Sequence, residues 1–69
     1  MNWTILTKTS FYTEAAIIQG KLEENHIPVQ LLNKMDSMYQ FALPGMIEIY
    51  VPDNFIALAR TLLQENISN

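Results

Sequence analysis

Leu43-Pro44-Gly45-Met46-Ile47-Glu48-Ile49-Tyr50-Val51-Pro52-Asp53 is the stretch that decides the fold. Between a Pro-Gly turn and a Pro-Asp helix start, Ile47, Ile49 and Val51 alternate with Met46, Glu48 and Tyr50. That period of two belongs to a β-strand, and its apolar, β-branched composition suits the middle of a sheet. The strand is expected over Met46 to Val51, with Asp53 or Asn54 capping the helix that follows. That helix would bury Phe55, Ala59, Leu62 and Leu63 along one stripe and fray over Asn66 to Asn69.

Working back from this strand, the twelve residues from Asn33 to Pro44 mix polar, aromatic and methionine side chains without a period, and read as an extended loop. A second strand is expected at Ile27 to Leu32. Before it, Asn25-His26 stops a helix, because both residues tolerate the left-handed conformation and Pro28 cannot continue a helical ladder. The helix itself shows Phe11, Ala15, Ile18 and Leu22 on one face, with Ser10 or Thr13 as its cap. Trp3 to Thr9, rich in β-branched residues and lacking a helical period, makes the first strand.

The order strand, helix, strand, strand, helix predicts an α+β, ferredoxin-like sandwich, β-α-β-β-α(-β), formed by residues 1–69 as a single domain. A three-stranded antiparallel sheet would carry both helices on one face, with the third strand between the other two and no obvious fourth. Without that fourth strand, the first presents an unpaired edge.

Composition narrows the function. Seven acidic residues against four basic ones give a net charge of −3, and Lys8, Lys34, Lys21 and Arg60 are too scattered to track a phosphate backbone or an anionic membrane. Nucleic acid and membrane are therefore not expected as partners. The chain has no apolar run long enough to cross a bilayer and no secretory start, and a cytoplasmic location is expected. With no cysteine, neither a disulfide nor a thiolate metal site can staple the fold. A domain this small buries only about 60% of its unfolded surface, so at 49% hydrophobic residues either the core is dense or a partner covers one face.

The runs Glu14-Ala15-Ala16, Lys21-Leu22-Glu23, Ile27-Pro28-Val29, Gly45, Val51-Pro52-Asp53 and Ala59-Arg60-Thr61-Leu62-Leu63 together resemble the putative prokaryotic signal transducing protein family. These small bacterial domains are similar to ferredoxin-like, PII-type regulators of nitrogen metabolism. The resemblance spans nearly the whole chain and implies a regulatory role, with recognition or modification at Tyr39 in the connection between the second and third strands. Two positions depart from the pattern. Asn25-His26 stands where such domains tend to have a glycine, and Pro44 precedes Gly45 where a glycine pair is common.

No catalytic constellation stands out, and no catalytic, cofactor-binding or metal-ligating residue is expected. His26 is the one natural general base near neutrality, but it lacks a neighbouring nucleophile and suits the negative end of a helix dipole. Asp36 and Ser37 with Lys34 could contact a ligand from the loop, or ligate a hard cation together with Glu48 if the loop folded back, but their spacing is sparse for a calcium or magnesium site. The apolar loop residues Met35, Met38, Tyr39, Phe41 and Leu43 cover either their own sheet or a partner. On the sheet face away from the helices, alternation places Gln30, Leu32, Met46, Glu48 and Tyr50, together with Leu6 or Ile5. Leu32, Tyr39, Phe41, Met46 and Tyr50 are the candidate interaction residues. The sequence thus reads as a regulatory or protein-interaction module that binds rather than catalyses, as a homodimer or with another protein. The alternative is a small-metabolite sensor whose 33–44 loop closes over its effector.

Overall fold

The computed structural model describes residues 2–34 and 46–67, with side chains as far as Gln64. Three strands, β1 (Trp3–Thr9), β2 (Gln30–Asn33) and β3 (Ile47–Pro52), form one sheet in the order β1-β3-β2. Both pairings are antiparallel, so β3 is central. Two helices, α1 (Tyr12–Glu24) and α2 (Ile56–Ile67), pack against that sheet, α2 being entered through a single 3₁₀ turn at Asp53–Phe55. This is the ferredoxin-like plan with three strands, and no fourth strand borders β1 among the described residues.

The alternation of β3 builds the core. Ile47, Ile49 and Val51 are fully buried with Ala15 and Leu22 of α1, Ile27, and Ala59 of α2. Leu6, Ile18, Val29, Phe55, Ile56 and Leu62 pack around them. Each wholly buried aliphatic side chain of this kind contributes about 1.5–3 kcal/mol through its area removed from water.

Both ends of α1 are held by side-chain chemistry. At the start, Phe11 is extended and offers no cap of its own. Thr9, buried at the end of β1, accepts the Phe11 N–H at 3.1 Å, and its hydroxyl donates to Glu14. Neither Ser10 nor Thr13 is therefore needed as the cap, and the Thr9 hydroxyl gains partners that its burial requires. At the other end, His26 lies at φ 61. Its N–H reaches the Glu23 carbonyl at 3.0 Å, and the Ile27 N–H reaches the Leu22 carbonyl at 3.0 Å. This is the Schellman pattern, closed by the apolar pair Leu22 and Ile27.

That closure moves β2. Ile27 is spent in capping the helix and filling the core, and Pro28 has no N–H for a ladder, so pairing begins at Gln30 rather than at Ile27. The entrance to α2 also differs from expectation. Pro52 holds the cap position, while Asp53 donates its N–H to the Asn2 carbonyl at 2.9 Å and accepts the Thr4 hydroxyl. Asp53 thus ties α2 to β1 instead of closing its own helix. Phe11, expected on the buried stripe, is 67% exposed.

Candidate functional site

The two faces of the sheet are sorted by register. On β2, Gln30 stands opposite Tyr50 and Leu32 opposite Glu48, so both share the face turned away from the helices. On β1, Trp3 pairs with Pro52, Ile5 with Tyr50 and Lys8 with Glu48, placing Trp3, Ile5 and Lys8 on that same face. Between Ile5 and Thr7 the register shifts by one residue. This bulge lets Leu6 turn into the core while the alternation resumes beyond it. The choice between Leu6 and Ile5, open in the sequence, is settled for Ile5 on the open face.

Glu48 is the electrostatic centre of this surface. Although it lies on the face that the helices leave bare, its residue is buried to 9% relative exposure. The Tyr50 hydroxyl donates to Glu48 Oε1 at 2.8 Å, and Lys34 Nζ lies 3.8 Å from Oε2. Lys8 stands directly opposite on β1. The Tyr50 phenol is pushed up from its ordinary value, first by this hydrogen bond, then by desolvation and by the charge of Glu48. Lys34 also continues the ladder beyond β2, its N–H reaching the Met46 carbonyl at 2.8 Å.

Beside this charged row lies an apolar groove of about 370 Å³, lined among the described residues by Trp3, Gln30, Leu31, Leu32 and Tyr50. Trp3 is 39% and Leu32 46% exposed, and half-buried Tyr50 lies between their strands on β3. Leu32 and Tyr50 therefore come together as the sequence suggested. Met46 does not join them as exposed surface, since it is 5% exposed. Tyr39 and Phe41 lie outside the described residues, as do Asp36 and Ser37.

Trp3 is the residue that sequence reasoning missed. Its face could not be read without the bulge, but its distance of three residues from Leu6 and two from Ile5 held both options. A second apolar concavity, about 540 Å³, opens on the helix side and is lined by Thr7, Phe11, Thr13, Glu14, Ile17, Ile18 and Leu63. Among the described residues it contains neither tryptophan nor tyrosine, and its one carboxylate, Glu14, accepts from Thr9.

His26 serves as the left-handed closing residue of α1. Among the described residues, no three of His, Cys, Asp and Glu come together to hold a metal ion, and no helix is long and apolar enough to cross a membrane. Fold and surface together define a small α+β domain whose sheet is covered by helices on one face and carries aromatic and aliphatic side chains on the other. The chain belongs to the family described as putative prokaryotic signal transducing protein, which matches residues 3–67. No curated protein and no solved structure matches it.

Proposed function

We propose that this chain is a regulatory module that acts by binding a protein through the open face of its sheet, without catalysing a reaction. The observation that carries this reading is the exposure of Trp3 and Leu32 on either side of Tyr50, on the one sheet face that neither helix covers. Interfaces draw most of their energy from a few centrally placed aromatic side chains, tryptophan and tyrosine above all. The helix-side concavity is larger, but among the described residues Phe11 is its one aromatic side chain, set among threonines, Glu14 and aliphatic residues. The family description, a signal transducing protein, accords with a role in binding.

The metabolite-sensor reading would draw on Lys34, with Lys8 or Arg60, to hold an anionic effector, and the Lys34 ammonium is engaged with Glu48. Native mass spectrometry of protein purified under mild conditions separates the two. A bound protein, whether a second copy or another chain, that Leu32→Glu releases is the expected result. A monomer carrying a small-molecule mass that survives Leu32→Glu would overturn the proposal in favour of the sensor.

A further inference from the structure

Resting on that reading, we infer that the partner on the open face is a second copy of this chain, with the Trp3 indole of each protomer seated against the Gln30, Leu32 and Tyr50 groove of the other. A two-fold interface requires one patch to carry both a projection and its complement. The open face does so: Trp3 projects from β1, and the groove lies across Tyr50 towards β2. With the symmetry axis along β3, β1 of one protomer lies over β2 of its partner, near where β2 begins at Gln30. Trp3 pairs with Pro52, two residues from Tyr50, so indole and phenol rings are diagonal neighbours within each copy. An arriving indole then meets an aromatic surface already half formed, in the offset or edge-to-face manner that such rings prefer.

The charges permit this stacking. Among the described residues, Glu48 is the acidic side chain that the register places on the open face, and its carboxylate is already held by Tyr50 and Lys34. An axis along β3 sets the two Glu48 carboxylates facing one another, each entering with its own Lys34 ammonium and Tyr50 hydroxyl, so that two compensated pairs meet rather than two bare carboxylates. Lys8 lies on the edge strand, from which its long stem can carry the ammonium to water. Size sets the strength of the contact. Two strands roughly 20 Å long and a four-residue β2 of about 13 Å, spaced about 4.8 Å apart, give on the order of 500 Å² of flat area over both copies and up to about 1,000 Å² with side-chain relief, at most the lower threshold of specific association. The dimer is accordingly reversible and dissociates on dilution.

The single tryptophan of the chain makes the contact directly observable. Sedimentation velocity and tryptophan emission are measured together over a dilution series. The expected result is a dimer that dissociates on dilution, with Trp3 emission moving to longer wavelength in step. Leu32→Lys and Gln30→Glu should each give a monomer with solvent-like emission at every concentration and unchanged far-ultraviolet dichroism. Ile17→Lys, on the helix side, should change neither readout. A wild-type monomer throughout would overturn the second copy as occupant while leaving the open face to a different protein. A dimer that Ile17→Lys breaks, but Leu32→Lys does not, would overturn both this inference and the open-face reading beneath it.

Discussion

The same six residues of β3 face two environments. Ile47, Ile49 and Val51 lie at 0–1% exposure beneath both helices, whereas Glu48 and Tyr50 lie on a face dressed by Trp3, Ile5 and Leu32. The covered face is filled with aliphatic groups packed against Ala15, Leu22 and Ala59. On the open face, a bonded carboxylate sits beside aromatic and aliphatic groups left at the surface. The first combination is that of a folding core, in which deleted volume is costly. The second is a combination that interfaces also show, apolar area beside satisfied polar groups. Stability should therefore depend on one face and association on the other.

The strongest test of that division is Ile49→Ala. It removes volume from the centre of the covered face, and should cost about 2–5 kcal/mol, a large share of the stability of a small domain. Urea denaturation with unchanged m-value would measure it. A loss as small as that of an open-face substitution would erase the distinction between the faces.

Next in size is His26, which fixes how α1 returns to the covered face. At φ 61, a β-branched side chain is strained, so His26→Val should cost about 1–3 kcal/mol, whereas His26→Gly should be neutral or stabilising. Equal thermal midpoints for the two variants would show that the left-handed closure is not under strain. Thr9→Val tests the other end of the helix. Losing the acceptor for the Phe11 N–H and the donor to Glu14 should cost about 1–2 kcal/mol. Thr9→Ser, which keeps the hydroxyl, should recover most of the loss.

These two helix ends also show what could be read from sequence and what could not. The Asn25-His26 stop was legible because it is local: few residue types tolerate a positive φ, and Pro28 forbids continuation. The alternation of β3 was legible for the same reason, and with it the order and class of the fold. The cap of α1 was not, because Thr9 acts from inside a strand and its hydroxyl is directed by burial. The start of β2 escaped because Ile27 satisfies a tertiary demand, closing Leu22, that outranks its strand propensity. On the candidate surface, Leu32 and Tyr50 followed from period two alone. Trp3 and Ile5 required knowledge of the bulge, a register event that the one-dimensional pattern does not mark.

The pairing of Tyr50 with Glu48 sharpens the comparison through pH. Ionising the phenol removes its donated hydrogen bond and sets tyrosinate beside a carboxylate, so the folded chain holds the proton more tightly than the unfolded one. The pKa is raised on folding, and the contribution is complete below the ordinary value of 10.0 and declines as pH rises through the higher folded value. The stability difference between wild type and Tyr50→Phe should be constant near neutrality and shrink in alkali. In Glu48→Gln, the tyrosinate absorbance assigned to Tyr50 by difference against Tyr50→Phe should appear at lower pH. An unmoved titration would mean that Glu48 does not govern the phenol.

The smallest effect on folding, and the most informative one, belongs to Leu32. At 46% exposure on an edge strand it has little packing to lose, so Leu32→Lys should alter stability by no more than about 0.5 kcal/mol. Leu32→Glu should be slightly worse, by a further few tenths of a kcal/mol, because its carboxylate would stand directly opposite Glu48 on β3. Lys34, two residues on and already beside Glu48, reduces this difference, and a lysine variant clearly less stable than the glutamate variant would mean that the cation at Lys34 outweighs the facing Glu48. Both substitutions put a charge in the groove beside Trp3, and both should abolish association despite their opposite signs. Desolvating either charge opposes docking, whereas electrostatic steering alone would spare one of them. Loss of binding in both variants, at nearly unchanged stability, would separate the face that holds this chain together from the face it offers to a partner.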